Sequence, residues 1–129
     1  GNAMKALHHR DAGPVGWGLL RDDVTVDVIA DLHHLSPELL ALVRRCKGPE
    51  GFALISDAAP CASLPDGTYD VWGEPLTVSA GAVRNASGGL AGSVALLDEC
   101  LARLVASGVA TEEEARVAAS RTPLRLLAS

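Results

Sequence analysis

The stretch that decides the fold is residues 22–60, DDVTVDVIADLHHLSPELLALVRRCKGPEGFALISDAAP. Two segments in it, residues 24–30 and 52–56, are short and apolar, and the first is rich in β-branched side chains. Such runs favour buried strands over helices. A helical segment lies between them, so the order predicts a β-α-β unit with parallel strands and a right-handed crossover.

The helix between the two strands has a marked start and end. Ser36 supplies a hydroxyl N-cap, Pro37 suits the first helical position, and Glu38 places a carboxylate near the positive end of the helix dipole. Gly48 and Pro49 then stop the helix. Its predicted apolar face consists of Leu39, Leu40, Leu42, Val43 and Cys46.

Polar side chains follow both predicted strands. His33 and His34 come after the first strand, and Asp57 comes after the second. Parallel strands end at the same edge of a sheet, and α/β folds bind ligands outside the carboxyl ends of their strands. The sequence therefore predicts a catalytic edge. In the alternative interpretation, Asp57 caps the next turn and the histidines are solvated loop residues.

Short extended runs follow the β-α-β unit. They span residues 67–72, 75–79 and 82–84 and predict antiparallel hairpins inserted on the α/β core. Residues 85–93 are rich in glycine but contain neither GK[ST] nor GxGxxG, so their composition favours a flexible return loop.

The last third of the chain predicts helices. Ser93 is expected to cap a helix that ends at Gly108, because apolar residues between them recur at three- and four-residue steps. Thr111 and Glu114 form a predicted capping box for a short helix to about residue 120. A last helical turn is expected at residues 124–127.

Composition narrows the class of protein. The net charge of −5 and the pI of about 5.2 argue against nucleic acid or an anionic membrane as partner. No apolar run has the length of a membrane span, so a cytoplasmic protein is expected. Cys46, Cys61 and Cys100 are widely spaced and predict reduced, mostly packed thiols rather than a disulfide frame or a zinc site. Hydrophobic residues make up 48% of the 129 residues, which for so short a chain indicates a fragment of a larger core or an obligate oligomer.

Four segments in order, NAMKALHHRDAGPVG, IADLHH, LISDA and GGLAGS, resemble N-acetylglucosamine-6-phosphate deacetylases of the amidohydrolase superfamily. The resemblance covers residues 2–127 and implies an α/β fold, the C-terminal portion of a TIM-type (β/α)8 barrel. Residues 1–129 would then be a single partial barrel domain. It would contain a β-α-β core at 22–60, a hairpin insertion after the last barrel strand at 67–84 and C-terminal helices at 93–128. Gly1–Ala3 also resemble the remnant of an expression tag.

The resemblance implies roles for individual residues. Asp57 would take a proton from metal-bound water and deliver one to the leaving amine. His34 would bind substrate and help to polarise the acetyl carbonyl, and Arg10 would hold the sugar phosphate with its guanidinium. For the glycine-rich residues 85–93, composition favours a flexible return loop. The resemblance instead implies a loop there that closes over the sugar. The remaining implied substrate contacts are Asn2, Ala3, Leu90, Ala91 and Gly92.

The resemblance also implies a divalent metal, zinc or similar. The family's ligands, a glutamate and two histidines, precede the matched segment, so no metal ligand is expected in this chain and the isolated chain is expected to be inactive. This sequence departs from the family at Leu32, where glycine is usual, and at His33, an additional imidazole. Leu97 stands where some members have methionine. A new metal site made of His8, His9, His33 and His34 is disfavoured, because adjacent histidines on an extended segment point apart.

Two functions follow as hypotheses. The first is metal-dependent hydrolysis of the acetamide of N-acetylglucosamine 6-phosphate to glucosamine 6-phosphate and acetate, in amino-sugar catabolism. Its partner would be a small-molecule amino-sugar phosphate, and the protein would be a homo-oligomer, as a dimer. The alternative is a non-catalytic remnant that binds sugar phosphate or self-associates through the strand edge that an open barrel leaves unpaired.

Overall fold

A computed structural model of the chain describes residues 4–128. The predictions for Asn2 and Ala3 and for a tag remnant lie outside these residues. The helices are α1 (Gly13–Leu20), α2 (Pro37–Lys47), α3 (Leu97–Ala106), α4 (Glu112–Arg116) and α5 (Thr122–Leu127), with a π-helical segment at Val117–Arg121. The strands are β1 (Val26–Ile29), β2 (Phe52–Ile55), β3 (Gly67–Val71), β4 (Glu74–Ser79), β5 (Ala82–Arg84) and β6 (Leu90–Ser93).

The β-α-β unit is confirmed. Strands β1 and β2 pair in parallel, from Val26 opposite Phe52 to Ile29 opposite Ile55. Helix α2 connects them, and the Ser36 hydroxyl accepts the Leu39 N–H at 3.3 Å, as an N-cap does.

One hydrophobic core lies between this strand pair and the helices. Val28 of β1 and Phe52 and Leu54 of β2 are buried in it. They meet Leu40 of α2 and Leu104 of α3, and the C-terminal helical run adds small buried alanines. Alternate strand positions face opposite sides of a sheet, so this face of the pair is covered by helices while Ile29 and Ala53 lie on the other face.

The second half of the chain adds an antiparallel sheet in the order β3-β4-β5-β6. Its own core contains Val71, Leu76, Val78 and Val83 together with Cys61. The chain is thus a mixed α/β structure with an antiparallel sheet.

The expectation of a flexible loop at residues 85–93 was wrong for its second half, because Leu90–Ser93 form strand β6. The backbone of β6 pairs with β5, with Arg84 opposite Leu90 and Ala82 opposite Ser93. Beyond β2, Ala58 forms a parallel bridge with Ser93. Hydrogen bonding on two sides holds this glycine-rich segment in place, and composition alone does not reveal such partners.

The predicted helix cap at Ser93 was also wrong. Ser93 is fully buried in β6, and α3 begins only at Leu97. The Glu99 carboxylate satisfies the Leu96 N–H at 2.9 Å, so an acidic side chain in the first turn takes the place of a hydroxyl cap. Val94, expected in the helix, packs instead against the core of the antiparallel sheet.

The capping box of the next helix is confirmed. Thr111 Oγ1 accepts the Glu114 N–H at 3.3 Å, and Glu114 Oε2 accepts the Thr111 N–H at 3.1 Å. One continuous helical run consists of α4, the π-helical segment and α5, and the predicted last turn lies in α5. The Thr122 N–H reaches back to the Val117 carbonyl across that wider turn.

No helix in residues 4–128 combines the length and the apolar character needed to cross a membrane. All three cysteines are free; Cys61 and Cys100 are buried, whereas Cys46 is exposed.

Candidate functional site

The ends of β1 and β2 bring a histidine and an aspartate together. His34 Nε2 lies 3.9 Å from Asp57 Oδ2. The His34 side chain is 1% exposed, whereas that of Asp57 is 48% exposed and reachable from solvent. The predicted convergence at one sheet edge is therefore confirmed, while the roles of the two side chains remain predictions.

A third residue, Asp31, completes this group. It follows β1, and its Oδ2 lies 2.7 Å from His34 Nδ1. Asp31 Oδ1 accepts two backbone N–H groups, from His33 at 3.0 Å and from His34 at 2.9 Å. The Asp31 carboxylate thus stabilises the turn after β1 and also orients the His34 ring.

The hydrogen bonds keep Asp31 ionised despite its burial. Burial alone raises the pKa of its carboxyl group, but donation by His34 and His33 and by the Ser93 hydroxyl outweighs this effect. The pKa of Asp31 consequently lies below its usual range.

Strand β6 packs directly against the backbone of Asp57. The Ser93 N–H donates to the Asp57 carbonyl at 2.7 Å, and the Ala59 N–H donates to the Ser93 carbonyl at 2.9 Å. A Cβ added at Gly92, whose φ is +97°, would lie 3.0 Å from the Asp57 carbonyl oxygen and 3.1 Å from Ala59 Cβ. A glycine is needed here both for its conformation and for its size.

Of the substrate-binding loop implied by the resemblance, Gly92 is therefore brought to the site. Leu90 and Ala91 precede it in β6 and are half-buried.

Two residues at the strand ends have left-handed backbone conformations. Leu32 has a φ of +65° and Asp57 a φ of +50°. Non-glycine residues in this region store strain, which often marks functional sites. The positive φ of Leu32 suits a glycine, which is the residue that the resemblance implies at this position.

The other predicted residues are not joined to this group by a described contact. Arg10 is exposed, and its guanidinium lies 2.8 Å from His9 Nε2. His33 Nε2 approaches the β4–β5 turn, 3.1 Å from where a Cβ at Gly81 would stand. Within residues 4–128, no three His, Cys, Asp or Glu side chains are placed to hold a metal ion together.

Sequence reasoning missed Asp31 and Ser93. The available signal for Asp31 was its position, directly after a predicted strand and three residues before His34. Aspartate at such a turn often bonds to the backbone N–H groups that follow it. Ser93 gave no comparable signal, because it was expected at a helix start.

An imidazole held by a buried carboxylate, beside an acid at the carboxyl ends of parallel strands, lies where α/β folds bind ligands and supplies groups that can transfer protons. Comparison with known proteins specifies the family. The chain is 41% identical over 126 residues to the putative N-acetylgalactosamine-6-phosphate deacetylase of Escherichia coli K12, covering 98% of this chain and 75% of that protein. It is 43% identical over 96 residues to the N-acetylglucosamine-6-phosphate deacetylase of Vibrio furnissii, covering 74% of this chain and 24% of that protein.

Solved structures of deacetylases also match the chain. The deacetylase of Thermotoga maritima matches with a TM-score of 0.88 and 33% identity, over 96% of this chain and 34% of that chain. A mutant deacetylase of Mycobacterium smegmatis in complex with N-acetyl-D-glucosamine-6-phosphate matches with a TM-score of 0.90 and 29% identity, over 98% of this chain and 35% of that chain. No family model matches the chain.

The chain belongs to the N-acetylglucosamine-6-phosphate deacetylase family, whose members are hydrolases. It spans three quarters of the E. coli K12 relative but only about a quarter to a third of the other proteins compared above.

Proposed function

We propose that this chain forms part of the active site that hydrolyses the acetamide of N-acetylglucosamine 6-phosphate, giving glucosamine 6-phosphate and acetate. The observation that carries the proposal is the approach of His34 Nε2 to Asp57 Oδ2, 3.9 Å apart, in a member of the deacetylase family. Relatives carry the names of both the glucosamine and the galactosamine sugar, so both acetylated sugar phosphates belong in the test.

Strands β1 and β2 are proposed to be the last two strands of a TIM-type barrel. Two features support this arrangement. A strand at the edge of a sheet presents unpaired N–H and C=O groups, and in residues 4–128 neither β1 nor β2 pairs with a further strand at its outer edge. An apolar cavity of about 250 Å³ also lies beside β1, lined by Val15, Trp17, Val26 and Val28 among others. The remaining barrel strands and their helices would cover the strand edges and the cavity.

Asp57 is the proposed proton carrier. Its exposed carboxylate accepts a proton from the attacking water as the new C–O bond forms at the acetyl carbon. The same carboxyl group then protonates the nitrogen as the C–N bond breaks, so the amine leaves neutral. Proton uptake and delivery by one group account for both halves of the reaction.

His34 and Arg10 are the proposed substrate-binding residues. The His34 ring presents Nε2 at the sheet edge, where the acetyl group would lie next to Asp57. Arg10 would bind the phosphate, for which a planar guanidinium is suited. The segment Leu90–Ser93, packed on the Asp57 backbone, would form a wall for the sugar.

The described residues do not fit a metal site, because no group of three potential ligands converges among them. A divalent metal would be held by residues outside this part of the chain. The isolated chain with added zinc is therefore predicted to release no acetate.

A chimera tests the activity. This chain would replace the corresponding third of the Thermotoga maritima deacetylase, and acetate release would be measured with both acetylated sugar phosphates. Turnover that Asp57→Asn abolishes is expected. A chimera that is folded by circular dichroism but releases no acetate would contradict the proposal.

Binding of a sugar phosphate without hydrolysis is a second candidate function, supported by the exposed guanidinium of Arg10. Calorimetry of the isolated chain with glucosamine 6-phosphate tests it. Binding should be lost in Arg10→Ala and retained in Arg45→Ala, a control with an exposed arginine in α2. An absence of heat with the unmodified chain would rule the candidate out.

A further inference from the structure

The two nitrogens of the His34 ring have different surroundings. Nδ1 lies 2.7 Å from Asp31 Oδ2, inside the protein, and both side chains are 1% exposed. Nε2 lies on the side of Asp57 and is buried without a hydrogen-bond partner among the described residues. A buried polar atom left unpaired is costly, so Nε2 is placed to meet a group that the described residues do not supply.

The charge of Asp31 decides which nitrogen carries the proton. An ionised carboxylate only accepts hydrogen bonds, and Asp31 Oδ1 already accepts two backbone N–H groups while Oδ2 faces His34 Nδ1. The short contact to His34 therefore requires a proton on Nδ1. In the neutral ring Nε2 is then free of a proton and acts as an acceptor.

We propose that Asp31 is a positioning residue, which holds the His34 proton on Nδ1 and thereby directs an unprotonated Nε2 towards Asp57 and the substrate. Its consequence for catalysis rests on the proposed function, whereas its effect on the ring does not. Nε2 accepts a hydrogen bond from a hydroxyl or a water when the ring is neutral. It donates to the acetyl carbonyl oxygen only when the ring is protonated, and Asp31 then balances the positive charge.

The geometry makes Asp31→Asn a sharp test. The two backbone N–H groups of His33 and His34 select the amide oxygen at the Oδ1 position. The amide NH2 must then face His34 Nδ1, which has to become the acceptor. The proton moves to Nε2, as it does when the aspartate of a Ser-His-Asp triad is replaced by asparagine.

The experiment is nitrogen NMR of the isolated chain labelled with ¹⁵N-histidine. Long-range ¹H–¹⁵N correlations at a pH where the ring is neutral separate the two tautomers, and His34→Gln assigns the His34 signals among the four histidines. We expect the Nδ1–H form in the unmodified chain and in Asp57→Asn, and the Nε2–H form in Asp31→Asn.

An Nε2–H form in the unmodified chain would overturn the proposal, and this measurement stands even if Asp31→Asn does not fold. A folded Asp31→Asn chain that keeps the Nδ1–H form would overturn it as well. These readouts need no turnover, so an inactive chimera refutes the proposed function and leaves the assignment of the ring intact. In an active chimera, Asp31→Asn should lower kcat by about 100-fold or more and change KM less; an unchanged kcat would remove the catalytic role.

Discussion

Leu32 sits in a conformation that suits glycine. Its φ of +65° costs a side-chain-bearing residue about 1–2 kcal/mol, whereas glycine adds about 0.5–1 kcal/mol of unfolded-state entropy. We expect Leu32→Gly to leave the free energy of unfolding unchanged or to raise it by up to about 1 kcal/mol. Urea unfolding followed by circular dichroism measures this change.

Leu42 is a matched control for that substitution. It is 40% exposed, against 39% for Leu32, but it lies inside α2 with ordinary helical geometry. Leu42→Gly should lower the free energy of unfolding by about 1 kcal/mol. If both substitutions destabilise the chain equally, the strain assigned to Leu32 is absent.

The three thiols should differ in reactivity. Burial first, and then the negative charge of Asp31, raise the pKa of Cys100 to about 11, so its thiolate is scarce at pH 8. Cys61 is buried as well, whereas Cys46 is exposed. A disulfide reagent at pH 8 should modify one thiol rapidly in the native chain and all three in urea. The rapid phase should vanish in Cys46→Ser, and its survival there would contradict the assignment.

The depressed pKa of Asp31 also fixes the sign of a pH effect. A carboxyl group with a lower pKa in the folded state stabilises the fold above its unfolded pKa of about 3.9, and this stabilisation is lost as pH falls through the folded value. Unfolding midpoints in urea should therefore decline more steeply below about pH 4 in the unmodified chain than in Asp31→Asn. Asp22→Asn, at an exposed position, should retain the steep decline.

At the residue scale, the sequence predicts which side chains meet where the meeting depends only on the direction of the strands. His34 and Asp57 meet because parallel strands end at one edge, and that relation is readable from two apolar runs and a helix. Asp31 could not be assigned in the same way. Its function depends on which way its carboxylate turns, and the turn is fixed by N–H groups and a ring that come together only in the folded chain.

At the scale of the element, α2 offers a clean test of capping. Ser36 Oγ accepts the Leu39 N–H at the start of the helix. Ser36→Ala removes this acceptor and should lower the free energy of unfolding by about 1 kcal/mol, while Ser36→Asp should preserve most of it. Thermal and urea unfolding compare the three chains. An alanine variant as stable as the unmodified chain would show that α2 is held by packing alone.

Elements with local signals were predictable and those with distant partners were not. The starts of α2 at Ser36 and of α4 at Thr111 could be predicted, because each cap hydrogen-bonds to a residue three positions further along the chain. Strand β6 depends instead on β5 and on Ala58, which lies far away along the chain. A segment with three glycines reads as a loop until those partners are known.

At the scale of the whole molecule, the high hydrophobic content of the chain is matched by large apolar side chains that remain exposed. Nearly half of the residues are hydrophobic, and large apolar side chains such as Leu7, Trp17 and Leu20 remain exposed near α1. The apolar cavity beside β1 belongs to the same region. Exposed apolar surface next to an open strand edge is typical of a surface that another segment or another chain covers.

The open edge of β1 predicts self-association of the isolated chain. The Val26 N–H donates to the Gly51 carbonyl at 3.2 Å, so alternation directs the N–H of Asp27 to the opposite, outer edge. Asp27→Pro removes that outer donor and leaves the bonds between β1 and β2 in place, whereas Val28→Pro interrupts them. Sedimentation velocity should detect concentration-dependent association of the unmodified chain and a monomer for a folded Asp27→Pro chain. Val28→Pro should unfold at lower urea, which separates loss of the edge from loss of the sheet. An unmodified chain that stays monomeric at every concentration would show that this edge does not pair with a second copy.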